Sequence, residues 1–169
     1  MIRAVLVDLG DTLVHLDRTW NDVFSDNVKS LHDFLINQGI NPGYDEFTKL
    51  FVREYEKASA TSHFYKVEVP IQTIISKVLH KLKVKDPRAD LVQKAIEEFY
   101  RPEIEAWQPY PDARQVLAEF HKIGLSTGLI SNTKSDWLVR AILEKHDLSR
   151  FFEAVVTSAA LRKRKPRFD

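Results

Sequence analysis

Apolar positions along this chain fall into two kinds of run: short, unbroken and rich in β-branched residues, or longer and spaced three and four apart. The short kind comes first. Ala4 to Val7 shows no helical period and ends at Asp8, before the turn-like Gly10-Asp11-Thr12, which predicts a buried strand. Leu125 to Ile130 repeats the pattern and leads into Ser131-Asn132-Thr133, and Ala154 to Thr157 repeats it again and leads into Ser158. Each reads as a central strand of a parallel sheet that ends in a polar loop.

The long kind fills the space between. Ala113, Val116, Leu117 and Phe120 keep helical spacing, with Pro111 near the start and Gly124 just past the end. Leu138, Ala141 and Ile142 do the same behind Ser135 or Asp136 as N-cap. Together with the opening strand, this succession predicts an α/β core: a three-layer, doubly wound, Rossmann-like fold on a parallel sheet. From Trp20 to Tyr100 the pattern is helical only. Val28, Leu31 and Leu35 mark one stripe, and Phe47, Leu50, Phe51 and Tyr55 a second, after Asn41-Pro42-Gly43. Ile71, Ile74, Ile75, Val78, Leu79 and Leu82 form the third, directly after Pro70; Leu91, Val92, Ala95, Ile96 and Phe99 form the fourth, after Pro87. The expected organisation is a core made of residues 1–16 and 101–169, with an all-helical subdomain over residues 17–100 inserted into it.

Composition changes this picture little. A chain of 169 residues has room for one such domain with its insert, and 44% hydrophobic with 29% charged residues describes an ordinary globular protein. Lysine plus arginine (25) nearly balances aspartate plus glutamate (24), so charge gives no reason to expect nucleic acid or a membrane as partner. The one basic cluster, Arg162 to Arg167, has no aromatic residue interleaved before Phe168. No cysteine is present, which excludes disulfides, thiolate metal sites and cysteine nucleophiles. The apolar stretch near the N-terminus is too short for a signal peptide or a membrane span, and a cytoplasmic location is the expectation.

In an open α/β sheet, ligands bind at the carboxyl ends of the strands. The residues expected there are Asp8, Asp11 and Thr12, then Ser131, Asn132 and Thr133, then Ser158 and the basic run leading to Lys165-Pro166. Each group alone also suits a turn, a helix cap or a solvated surface. A carboxylate, hydroxyls and a lysine on one edge suit phosphoryl transfer, the first as nucleophile and the others neutralising charge on the transferring oxygens.

These strings resemble a known family. VLVDLGDTL (Val5 to Leu13) is similar to the first motif of the haloacid dehalogenase-like hydrolases, GLISNT (Gly128 to Thr133) to their second, and VVTSAALRKRKP (Val155 to Pro166) to the approach to their third. The order agrees, as does the helical insert after the first motif. The resemblance implies a phosphatase acting on a small phosphorylated metabolite through an aspartyl-phosphate intermediate. Asp8 would be the nucleophile and would bind Mg²⁺ together with the backbone carbonyl of Gly10. Thr12 would support the catalytic loop. Ser131, with the backbone amide of Asn132, would hold the phosphoryl oxygens, Lys165 would stabilise negative charge, and the insert would be a cap that closes over the site.

Two departures accompany the resemblance. Family phosphatases usually carry a second aspartate two residues after the nucleophile, as acid and base; here that position is Gly10, and Asp11 lies one residue beyond. Dehalogenases lack that aspartate too, so a 2-haloacid dehalogenase and a non-catalytic module on the same fold stand as alternatives. The family's fourth motif, which completes the Mg²⁺ site, would follow the lysine motif, whereas this chain reaches only Asp169. The strand that carries it would lie beside the first strand, which would otherwise keep unpaired backbone groups, so the expectation is a truncated form lacking roughly the last quarter. Weak Mg²⁺ binding and little phosphatase activity are expected of it. Pro166 reads as the first residue of a further helix. His15, Arg18, His63 and Lys66 are polar residues near the junction of core and insert, and none stands out as a selectivity residue.

Overall fold

The computed structural model describes residues 2–167; Met1 and residues 168–169, the outer ends of the expected core segments, lie outside the described residues. The three short apolar runs form one parallel sheet. Strands β1 (Ala4–Val7), β4 (Ser126–Ser131) and β5 (Ala154–Thr157) lie in the order β1-β4-β5, with Val7 opposite Leu129 and Ser131 opposite Thr157. Their carboxyl ends therefore bring Asp8, Asn132 and Ser158 to one edge.

Helices α5 (Ala113–Lys122) and α6 (Asp136–Lys145) connect successive strands in that order. Two right-handed crossovers that step in the same direction place their helices on the same face of the sheet. The burial agrees. Thr127, Leu129 and Thr157, which share a face with Val5 and Val7, are buried, whereas Ala4, Leu6 and Ala154 on the other face are exposed. Two of the three expected layers thus lie within the described residues. β1 itself is an edge strand, and Leu6 is 70% exposed, which corrects the expectation of a buried central strand. Its apolar run reflects a strand built for cover on both faces. Gly128 lies opposite Leu6, whose Cδ2 comes within 2.8 Å of where a Cβ would sit, so a side chain there would displace the exposed Leu6 tip.

The four stripes become α1 (Trp20–Asn37), α2 (Tyr44–Tyr65), α3 (Ile71–Lys81) and α4 (Ala89–Ala106). Local chemistry sets their ends. The Thr19 side chain accepts from the Asp22 amide to cap α1, Pro70 opens α3, and the Ser135 side chain accepts from the Leu138 amide to cap α6. Gly124 (φ 76°) ends the α5 segment in the left-handed region. Phe47, Phe51, Phe99, Leu31, Leu35, Ile74, Ile75 and Leu79 are almost fully buried where these helices meet. Each such side chain contributes about 1.5–3 kcal/mol.

α4 runs through Pro102 to Ala106, so the expected border between residues 100 and 101 falls inside a helix. Both junctions with the core are made by a two-stranded antiparallel ribbon, β2 (Val14–Leu16) with β3 (Trp107–Pro109). Amide-to-carbonyl bonds from Asp17 to Ala106 and from Tyr110 to Leu13 flank it. A short helix α7 (Ser158–Leu161) follows β5, and residues 162–167 form a loop; the helix expected from Pro166 would run into residues 168–169, which lie outside the described residues. Among the described residues no helix is long and apolar enough to cross a membrane.

Candidate active site

The turn after β1 is tight. The amides of Thr12, Leu13 and Val14 all donate to the Leu9 carbonyl, and Asp11 takes a left-handed conformation (φ 55°), which aspartate tolerates better than most residues. This turn fixes Asp8. Its Oδ1 accepts from the Leu9 amide at 2.8 Å, and its Oδ2 lies 3.2 Å from the Lys165 Nζ. Asp8 and Lys165 are both partly exposed, 44% and 36% at the side chain, so the pair is open to solvent and contributes little to stability.

Lys165 arrives from a distant part of the chain, and Asn132 fixes it there. The Asn132 amide group donates to the Lys165 carbonyl at 3.0 Å and accepts from the Lys165 amide at 2.9 Å, while the Lys165 Nζ donates to the Ile130 carbonyl at 2.6 Å. The expected site thus assembles: Asp8, Gly10, Ser131 and Asn132 line one cavity of about 450 Å³, with Asp11 also on its wall, and Lys165 is bonded to Asp8. Thr12 does not join them; it is exposed on the outside of the turn. Of the polar residues near the junction, His15 packs on Tyr110 and Arg18 pairs with Asp26 at 3.1 Å. Neither they nor His63 and Lys66 line the cavity.

The opposite wall comes from the helices: Tyr55, Ser59 and Ser62 of α2, Tyr100 and Glu103 of α4, and Trp107. Glu103 is buried between α1 and α4. Burial pushes its carboxyl up to about 7, against hydrogen bonds from the Asn27 Nδ2 at 2.8 Å and the Trp107 Nε1 at 3.3 Å. The indole that bonds Glu103 also sits over Gly10, where a Cβ would meet the Trp107 Cη2 at 3.4 Å. A Cβ at residue 10 would therefore rest in ordinary contact against an aromatic edge.

Glu68, in the segment between α2 and α3, is fully buried and ties this wall to the strand-end loops. Its Oε1 accepts from the Ser62 hydroxyl at 3.1 Å and lies 3.4 Å from the Lys134 Nζ. Its Oε2 accepts from Arg164 at 2.6 Å and from the Ser158 hydroxyl at 2.8 Å. Burial alone would push this carboxyl up, but the bonds from Ser158 and Arg164 and the charge of Lys134 hold it below the usual range. The Arg164 amide donates to the Lys66 carbonyl and the Ile71 amide to the Lys134 carbonyl, so backbone bonds reinforce the same seam. Sequence reasoning missed Glu68, Lys134, Glu103 and Trp107; a glutamate amid the apolar Val67, Val69 and Ile71 was the one signal for Glu68.

Among the described residues no group of three or more His, Asp or Glu side chains forms a metal cluster. The resemblance offers the Asp8 carboxylate and the backbone carbonyl of Gly10, and both residues line the same cavity. That set fits a magnesium ion only in the manner usual for Mg²⁺, with one or two carboxylates and the remaining positions filled by substrate phosphate and water.

Comparisons with known proteins give the family and leave the substrate open. A family model described as haloacid dehalogenase-like hydrolase matches residues 2–168. A phosphoglycolate phosphatase of Pseudomonas fluorescens is 26% identical over 164 residues, 97% of this chain and 53% of that protein. Among solved structures, a 2-haloacid dehalogenase from Pseudomonas syringae pv. tomato superposes with a TM-score of 0.57 at 20% identity, over 96% of this chain and 66% of that one. A HAD-hydrolase of Bacillus subtilis bound to magnesium gives 0.52 at 16%, over 98% and 68%. At these identities the structures speak for the fold. The chain spans about half the length of the curated relative that it matches.

Proposed function

We propose that this chain, which belongs to the haloacid dehalogenase-like hydrolase family, carries the phosphoryl-transfer half of a phosphatase that acts on a small phosphorylated metabolite. The observation that carries the reading is the Asp8–Lys165 contact of 3.2 Å at the edge of a cavity that also holds Ser131 and Asn132. In this reading an Asp8 carboxylate oxygen attacks phosphorus, the bond to the ester oxygen breaks, and water later cleaves the aspartyl phosphate. The Ser131 hydroxyl and the Asn132 amide hold the phosphoryl oxygens, and Lys165 offsets the charge that builds up on them; a donor of this kind is worth about 10²–10³-fold in rate. Asp8 and the Gly10 carbonyl would hold Mg²⁺, which when bound supplies further charge neutralisation. The helices between β2 and β3 would act as the cap, excluding water and setting selectivity.

Gly10 favours a second reading. A halide leaves as a stable anion and needs no proton donor, so a site without an acid at this position also suits displacement of halide from a 2-haloacid by Asp8. The two readings separate on a covalent intermediate. Acid quench of the chain with labelled acetyl phosphate and Mg²⁺ is expected to leave hydroxylamine-labile phosphate on the peptide containing Asp8. Absence of label, or label that persists in Asp8→Asn, contradicts the phosphatase reading. Chloride release from 2-chloropropionate would support the dehalogenase instead, and neither reaction would leave a non-catalytic module.

A further inference from the structure

The phosphoryl end of the cavity uses Asp8, Ser131, Asn132 and Lys165, and two other cations line the same space without a part in that chemistry. Lys134 lies two residues past Asn132, and Arg164 directly precedes Lys165. Both are bound to one carboxylate, the fully buried Glu68, at 3.4 Å and 2.6 Å. One negative charge shared by two positive ones leaves a surplus of positive charge on this wall. The surplus is poorly hydrated: the Lys134 side chain is 10% exposed and that of Arg164 31%. Burial holds the Lys134 ammonium below its ordinary range, Glu68 opposes that and Arg164 adds to it. A desolvated cationic surplus is costly until an anion meets it. Arginine beside lysine is also the combination that grips a planar carboxylate or a phosphate, the first as a fork of donors and the second as a point charge.

We propose that Lys134 and Arg164, held together by Glu68, form a second anion site in the cavity, so that the metabolite carries a carboxylate or second phosphate on the fragment that leaves. This inference rests on the phosphoryl site described under Proposed function. Glu68 is then a positioning residue. It reaches from the insert to both cations and holds them side by side on the cavity wall.

The test is binding, by calorimetry, of matched phosphonates to the 169-residue chain with Mg²⁺. Propylphosphonate has no second acid, 3-phosphonopropionate has a carboxylate, and ethane-1,2-bisphosphonate has a second phosphonate. A charged hydrogen-bonded contact is expected to favour one of the two diacids over propylphosphonate by at least about tenfold. Which diacid binds tighter tells carboxylate from phosphate. In Lys134→Met and in Arg164→Met the preference is expected to fall towards unity. Each variant leaves Glu68 one cation, and a melting curve checks that it folds; if one does not, the other carries the test. Equal binding of all three ligands to the parent chain, or a preference unchanged in the folded variants, overturns the second anion site and leaves the phosphoryl site standing. Failure of every phosphonate to bind overturns both.

Discussion

Set side by side, the strand-end wall of the cavity and the wall made by the helices differ in how their parts are brought together. On the strand-end wall Asp8, Ser131 and Asn132 follow directly from an element, and only Lys165 is brought in by packing. Asp8 follows β1, and Ser131 and Asn132 close β4, so the parallel sheet alone places them on one edge. The helical wall has no such rule. Glu68 meets Ser158 and Arg164 across 90 and 96 residues, and Asn27 meets Glu103 across 76. The first wall is a property of topology and the second a property of packing. The comparison teaches that one wall can be read from where strands end and the other only from how the helices pack.

The sharpest way to break the comparison is to remove the residue that joins the walls. Glu68→Ala leaves the buried Lys134 ammonium beside the partly exposed Arg164 without their shared counterion, and a loss of about 3–5 kcal/mol of stability is expected, read from urea unfolding. A loss below about 1 kcal/mol would mean that the seam is wet and the two walls are not coupled.

Next in size is the strand-end wall itself. Lys165→Ala is expected to lower formation of the Asp8 phosphate by about 10²–10³-fold in rapid quench, with little change in melting temperature, because the pair is half exposed. A large drop in melting temperature with an unchanged rate would reverse that assignment.

The helical wall gives a signature in pH. The Glu103 carboxyl is raised by burial to about 7 from its ordinary 4.5, so the folded chain keeps a proton that the unfolded chain has released. Its contribution is therefore full below about pH 4.5 and is lost as pH rises towards 7, a fall on the order of 3 kcal/mol if the whole shift is realised. Tyr55 and Tyr100 feel the Glu103 charge and are raised, so neither titrates in this window, and Glu68, held below its usual range, is already ionised through it. Stability measured at intervals across this range is expected to slope downward in the parent chain and to flatten in Glu103→Gln. An equal slope in both would place the proton elsewhere.

The smallest effect is expected where the family pattern is missing. Gly10→Ala brings a Cβ only into ordinary contact with Trp107, so it is expected to change stability by less than about 0.5 kcal/mol. A larger loss would mean that the indole edge leaves no room at residue 10 for any side chain, an acid included.

How much of this was legible in the sequence follows the same division. The runs ending at Val7 and Thr157 became strands, and the stripe after Pro70 became α3, because period and flanking residues are local signals. The β2–β3 ribbon was not legible: each strand has three residues, and they pair across most of the chain. The expected border between residues 100 and 101 had no local signal behind it: α4 continues through Pro102, with Phe99 and Tyr100 buried just before it. The burial of β1 was over-read, since an apolar run tells what a strand is suited to lie against and not what lies there. In the site, Asp8, Ser131 and Lys165 were legible from motifs. Nothing in the neighbourhood of Asn132 announced that its side chain would hold the Lys165 backbone on both sides.

The account stands on Asp8 as an acceptor of a phosphoryl group. The most direct measurement is the melting temperature of the chain with Mg²⁺ and beryllium fluoride, which together mimic an aspartyl phosphate. The parent chain is expected to gain several degrees only when both are present, as ligand binding to the folded state requires, and Asp8→Asn is expected to gain nothing. No shift in the parent chain, or the same shift in Asp8→Asn, would contradict it.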